Sequence, residues 1–348
     1  MRALLPPALL TALALPAHAD VPRVVTDITP VHSLVARVMD GVGTPDLTIR
    51  AGGSPHDYAL RPSEARALSN ADLVIWIGPE LSPALARSVD ALAHDTARLD
   101  LLDLPGTVTH EFRGLDDHDH GHDDDHGEHE AHAAADDHDD HAADDDHGHD
   151  DHAHDDHGHD DDHAEAKADD RHDHGPIDPH AWLDPENGKL WLGAIAEQLA
   201  QLDPAHAETY RANAAAGVAG IEAAELAARQ AIADARKPRF VVTHDAYQYF
   251  EQRFALEHVG SVALSDDSEP GAAHVQELQA LVAEEDVTCV FGEADRPLGI
   301  IGQMAEMNGI AVGILDPLGV KLAVGPELYP SLIRDMGRAF ATCSAQSS

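Results

Sequence analysis

Short apolar segments alternate with Ala-rich helical segments in two stretches of the chain, and this alternation constrains the fold more than any other feature. The strand-like segments of the first stretch are VPRVVTDI, PDLTIRAGG and LVIWIGP; those of the second are RFVVTHDA, HVGSVAL, VTCVFGEA and IAVGILDP. Helix-patterned segments lie between them: VHSLVARVMDGV, SEARALSNA and SPALARSVDALA in the first stretch, HVQELQALVAEED and GIIGQMAEMNG in the second. Strand–helix–strand alternation argues for parallel sheets with helices on both faces. The expected fold class is α/β, with one α/β lobe from each stretch.

Between the two stretches runs PAHAETYRANAAAGVAGIEAAELAARQAIADARK, from Pro204 to Lys237. It has no Pro after Pro204, is rich in Ala and carries charges of both signs, which predicts one long helix. Asp203 and Pro204 suit its N-cap and first position. Gly217 and Gly220 weaken the helix without ending it. At 1.5 Å per residue it spans about 50 Å, long enough to join two lobes as a strut.

One segment cannot join either lobe. Between Asp116 and Asp173 stand 26 Asp or Glu against two Lys or Arg, in a chain whose net charge is −42. With so much charge and so few apolar residues this His/Asp-rich stretch cannot bury a core, so 116–174 is expected to be a disordered loop inserted in the first lobe. It follows an apparent strand, TVTHEFRG, and precedes HGPIDPHAWLDP. An acidic chain argues against nucleic acid as a partner and suits the handling of cations.

The first residues, MRALLPPALLTALALPAHAD, read as a secretory signal: Arg2, an apolar core from Leu4 to Leu15, and an A-x-A site at Ala17-His18-Ala19. Cleavage after Ala19 would release the chain to a periplasm. The apolar run is too short for a membrane span. In an oxidising compartment the two cysteines, Cys289 and Cys343, read as a disulfide, with a thiolate metal site as the weaker alternative. The expected organisation is a signal peptide at 1–19, a first lobe at 20–203, the linking helix at 204–237 and a second lobe at 238–348.

Nine of the 27 histidines fall outside the stretch His110–His174. Three of the nine share a kind of position. His56 follows the strand-like TIRA, His180 in DPHAWLDP precedes a helix, and His244 ends the strand-like VVTH. Asp316 in GILDPLG also ends a strand. Ligands of open parallel sheets collect outside the carboxyl ends of the strands, so these four side chains can share one crevice. A single histidine is more often a surface or packing residue, and His32 and His274, in helical stretches, read that way. His94, His206 and His258 have no evident partner in the sequence. Three neutral imidazoles with a carboxylate or water form a tetrahedral zinc set, and nitrogen-rich sets favour zinc over calcium or magnesium.

The motifs SPHDYALRPS, DPHAWLDP, VTHDAYQYF and LDPLG, in this order, resemble those of ZnuA-type zinc-binding proteins, the solute receptors of bacterial zinc ABC importers in the cluster A-I group. The resemblance spans the chain after the signal, including the His-rich insertion, the long helix and the paired C-terminal cysteines. It implies two similar lobes joined by a rigid helix, with metal in the cleft between them. His56, His180 and His244 would then bind Zn²⁺. Some zinc relatives have Glu directly before the first His; here Pro55 stands there, so the fourth place falls to Asp316 or to water. The implied partner is a membrane permease with a cytoplasmic ATPase, with other periplasmic zinc chaperones as further candidates and the receptor acting as a monomer. The His/Asp-rich loop would gather or sense zinc. The alternative function is a zinc buffer or adhesin-type protein without a transporter. An enzyme is the least favoured reading: a three-His zinc can activate water, but the chain has no H-E-x-x-H motif and no evident general base.

Overall fold

The computed structural model describes residues 21–50, 52–113, 177–263, 270–294 and 296–346. The signal reading at 1–19 and the His/Asp-rich segment at 116–174 lie outside the described residues.

The first lobe runs β1 (Val24–Thr26), α1 (Thr29–Val38), β2 (Asp46–Leu47), α2 (Pro62–Ser69), β3 (Leu73–Trp76), α3 (Pro83–Leu92) and β4 (Ala97–Asp100). Its strands pair in parallel in the order β2-β1-β3-β4. β3, LVIW, is buried throughout, as a strand covered on both faces must be. β4, ARLD, was not among the expected strands. It lies at the sheet edge and is half-buried, so polar residues are tolerated and the apolar signal disappears. TVTHEFRG forms no strand; it makes one antiparallel bridge, Glu111 to Ile177.

α4 (Pro185–Leu202) follows, N-capped by Asp184, whose carboxylate accepts the Glu186 N–H at 2.9 Å. The long helix begins with a 3-10 turn at Pro204–His206 and continues as α5 (Ala207–Ala233). Asp203 does not cap it with its side chain. The carboxylate instead accepts His206 Nδ1 at 2.6 Å and the Tyr210 hydroxyl at 2.8 Å. Tyr210, Ala214, Gly217, Ile221, Ala224 and Ala228, followed by Ile232, form its buried stripe. Their spacings of four and three residues keep one face inward along the helix.

The second lobe runs β5 (Arg239–His244), α6 (Gln248–Phe254), β6 (Glu257–Ala263), α7 (Ala272–Glu284), β7 (Cys289–Glu293), α8 (Gly299–Asn308), β8 (Ala311–Leu315) and α9 (Leu328–Gln346). The order β6-β5-β7-β8, again all parallel, repeats that of the first sheet. Period-two alternation serves both faces. Val241 and Val290 pack with Leu278, Val282 and Met304 on one side. Phe240, Val242, Cys289 and Phe291 join the larger core on the other, which continues through α5 and α9 into the first lobe. Phe340 of α9 meets Phe240, Phe250 and Phe291 with ring centroids 5.0, 5.7 and 4.7 Å apart. α5 packs against α4 on one side and α9 on the other, so it belongs to both halves. At Gly337 a β-carbon would stand 2.6 Å from Ala228 Cα; only glycine lets α9 approach α5 this closely. Cys289 and Cys343 form a disulfide that ties β7 to α9. Among the described residues no helix is long and apolar enough to cross a membrane.

Candidate metal centre

His56 sits in the connection between β2 and α2. Its N–H donates to Ser54 Oγ at 3.3 Å, and the Pro55 carbonyl accepts the buried Ser82 hydroxyl at 2.6 Å. Glu64, in the first turn of α2, accepts the Arg61 N–H at 2.8 Å and the Tyr58 hydroxyl at 3.1 Å. These bonds pin both ends of the HDYAL segment. One ring nitrogen of His56 bonds the Leu81 backbone, while its Nε2 is buried without a hydrogen-bond partner. A buried, unpaired acceptor carries a desolvation cost that a metal ion offsets.

His180 immediately precedes a 3-10 turn at Ala181–Leu183. Its Nδ1 and its backbone N–H both donate to Asp178 Oδ1, at 2.7 and 3.0 Å. The turn is held by Tyr329, whose hydroxyl donates to the Trp182 carbonyl at 2.7 Å, and by Trp182 Nε1, which donates to the Pro317 carbonyl at 2.8 Å. His244 is the last residue of β5, and its Nδ1 lies 2.5 Å from Glu293 Oε1 at the end of β7. The Tyr247 hydroxyl donates to the same oxygen at 3.0 Å. In each ring a partner fixes one nitrogen, and by that assignment Nε2 is the atom offered to a metal.

The three rings converge. The centroids of His56 and His180 are 5.3 Å apart and those of His180 and His244 5.5 Å. One nitrogen from each lies within 4.8 Å of the others. Zinc–nitrogen bonds of about 2.0–2.1 Å in a tetrahedron need nitrogens about 3.4 Å apart, so a small rotation of the rings closes the set. The cavity they face also carries Trp182, Glu293, Arg296 and Asp316 in its wall. Its enclosed space, about 20 Å³, has room for about one water-sized group beside the rings.

Asp316 is in the cavity wall, at the end of β8, with its carboxylate already engaged. Its two oxygens accept the Val320 and Lys321 N–H groups at 2.8 and 3.0 Å. Other histidines have other employment. His32 Nε2 meets the Pro45 carbonyl, His274 Nε2 the Ser261 carbonyl, and His94 the exposed Asp95. His258 is packed against Phe240. Sequence reasoning passed over Asp178 and Glu293. Glu293 was findable, because VFGE ends a strand just as VVTH does; Asp178, two residues before His180, leaves no such signal.

Burial, then the neighbouring His180 and His244, lower His56 to about 3 despite its Leu81 bond. Burial raises the Glu293 carboxyl, but His244, Tyr247 and Arg296 outweigh it and hold it below the ordinary carboxylate range. His56 therefore stays neutral where ordinary imidazoles charge, and protons do not compete with zinc there. With Asp116–Asp173 deleted, the logarithm of zinc affinity should fall between pH 7 and 5 with a slope no steeper than two protons per ion. A slope of three in a pH series of chelator competitions refutes this assignment.

The family described as ZnuA, zinc-uptake complex component A, periplasmic, matches residues 24–343. The high-affinity zinc uptake system protein ZnuA of Paracoccus denitrificans (strain Pd 1222) is 43% identical over 337 residues, covering 97% of this chain and 96% of that protein. The protein of the same description from Brucella abortus (strain 2308) is 36% identical over 323 residues, covering 92% and 91%. Among solved structures, a ZnuA deletion mutant with zinc bound superposes with a TM-score of 0.67 at 20% identity, covering 93% of this chain and 98% of that one, which speaks for the fold. The chain, with its repeated sheets and the long helix α5, belongs to the ZnuA family of zinc-uptake components.

Proposed function

We propose that this protein captures Zn²⁺ in the periplasm and hands it to a membrane ABC permease driven by a cytoplasmic ATPase. The observation that carries the reading is the convergence of three imidazoles, one nitrogen from each lying within 4.8 Å of the others. His56 and His180 come from the first lobe and its exit, His244 from the second, so the ion sits between the carboxyl ends of the two sheets. Relatives named for high-affinity zinc uptake support the cargo and the transport role. A nitrogen-rich, four-coordinate set suits zinc, whereas calcium and magnesium want oxygen. Catalysis finds little support, because the cavity is small and the carboxylate of Glu293 is committed to an imidazole.

The fourth coordination position belongs to Asp316 if its carboxylate exchanges the Val320 and Lys321 bonds for the ion, and to water otherwise. Asp316→Asn separates the two. Loss of about tenfold or more in zinc affinity identifies a ligand; a change within threefold identifies water. The His/Asp-rich segment 116–174 is the auxiliary part, gathering or sensing zinc, since many weak imidazole sites raise the local ion concentration. The signal directs export and is cleaved after Ala19, and the receptor works as a monomer. Uptake of radioactive zinc into vesicles bearing the permease and ATPase tests the whole reading: it must require both this chain and ATP.

A further inference from the structure

The segment from Thr107 to Arg113 crosses from one half of the molecule to the other. At its start the Thr107 hydroxyl donates to the Leu101 carbonyl at 2.9 Å, and the Asn187 side chain of α4 bonds both backbone groups of Val108, at 2.7 and 2.9 Å. Further along, the His110 carbonyl accepts the Asp178 N–H at 2.9 Å, and the His110 N–H donates to the Tyr249 hydroxyl of α6 at 3.1 Å. That hydroxyl in turn donates to the Asp178 carbonyl at 2.6 Å. At its end Arg113 reaches two carboxylates of the second lobe. Nε and Nη2 fork onto Asp245, the first at 3.0 Å, and Nη1 donates to Glu251 Oε2 at 2.7 Å. Both acids are 3% exposed.

Asp245 directly follows the metal-site residue His244. The turn it begins also carries backbone bonds from Asp245 N–H to the Ala263 carbonyl and from Ala246 N–H to the His244 carbonyl, at 3.1 and 3.0 Å, and its Tyr247 hydroxyl reaches Glu293. A planar guanidinium holding one carboxylate with two parallel bonds fixes direction as well as distance, which an ammonium cannot do. The same crossing segment bonds Asp178, the residue that holds His180. One strap therefore sits one bond behind each of two imidazoles that come from different halves of the fold.

We propose that Arg113 is a positioning residue for the metal site: by clamping Asp245 and Glu251 it fixes the β5–α6 turn and, with it, the aim of His244 relative to His180. This rests on the three-histidine reading above. Stability alone is a poor account of the cluster. Taking two carboxylates out of water and a guanidinium partly out of it is costly, and apolar replacements of such clusters are often as stable. Burial raises Glu251 to about 7 against the opposing pull of Arg113, with the charges of Asp245 and Asp178 adding to the rise.

Charge and position make opposite predictions. Removing Arg113 leaves more negative charge near the ion, which by Coulomb attraction tightens zinc; losing the aim of His244 weakens it. The test measures zinc affinity on the full chain, with a chelator strong enough that only the tightest site stays filled. It also records the visible absorption of Co²⁺ in that site and the melting temperature of the apo form. The variants are Arg113→Lys, Arg113→Ala and the neutral triple variant Arg113→Met, Asp245→Asn, Glu251→Gln, which removes the buried charges and guards against simple misfolding. We expect Arg113→Lys and the triple variant each to weaken zinc by ten- to a hundredfold, the range of ligand-orienting residues, and to alter the Co²⁺ bands. Unchanged affinity and bands in Arg113→Lys, whatever the melting temperature, overturn the proposal, as does tighter zinc in Arg113→Ala. His180→Ala is the control for the site itself: if it keeps tight binding, the site reading fails, independently of Arg113.

Discussion

Replacing His180 by Ala should lower the zinc affinity of the chain lacking Asp116–Asp173 by about 100- to 700-fold. Protein-bound structural zinc is worth about 10–16 kcal/mol near neutral pH. Shared among four ligands, that is about 3–4 kcal/mol for each, and every 1.4 kcal/mol is tenfold in affinity. His180 is the sensitive choice. It is 3% exposed, its ring lies between those of His56 and His244 with centroids 5.3 and 5.5 Å away, and its Nδ1 is tied to Asp178. Alanine removes the nitrogen and strands the buried Asp178 oxygen, leaving only the His180 backbone N–H as its partner. Calorimetry with a competing chelator reads the loss. His32→Ala, a buried histidine bonded to the Pro45 carbonyl, should leave zinc affinity within threefold. If His180→Ala keeps the tight site, the cleft is not where zinc binds. With the loop present the same comparison needs a chelator strong enough to strip it, because 17 histidines lie between His118 and His174 and would otherwise mask a single lost ligand.

The convergence of the three histidines was legible in part: parallel sheets collect ligands at the carboxyl ends of strands and VVTH ends β5, but β2 ends at Leu47, before TIRA, and His56 and His180 reach the place from loops. The parallel strands followed from the same patterns, and the disulfide from reading the chain as one expected to be exported. What escaped were features with no apolar signature. β4 is an edge strand, whose polar residues hide it. TVTHEFRG has alternating residues that look like a strand, yet its backbone partners come from Asn187, Tyr249 and Asp178, side chains and backbone far away in sequence. Asp203 before Pro204 carries every mark of an N-cap, but the nearby Tyr210 hydroxyl and His206 ring compete for its carboxylate and win. Asp245 and Arg113 could not be paired in advance, since 132 residues separate them. Local patterns report burial and backbone geometry; they do not report which buried polar group a distant side chain will satisfy.

Removing the Cys289–Cys343 bridge should cost about 4 kcal/mol of stability. The bond closes a loop with a sequence separation of 54, and loop-closure entropy in the unfolded chain gives that value. Both residues are essentially buried, at 0% and 1% exposure, so alanine at both positions is the cleaner change; serine would bury new hydroxyls. At about 2–4 °C per kcal/mol for a protein of this size, the melting temperature should fall by about 8–16 °C. A reductant should lower the native protein by a similar amount and leave the double-alanine variant unmoved. Zinc affinity should stay within threefold. Cys289 begins β7 and Glu293 ends it, and between them the strand is held by parallel ladders to β5 on one side and β8 on the other. The bridge therefore secures α9 against the sheet from outside the site, while the position of Glu293 behind His244 depends on the strand pairing. A melting temperature that does not move in the double variant would show that α9 is held by the Phe340 cluster alone, with the covalent link adding nothing to what packing already fixes.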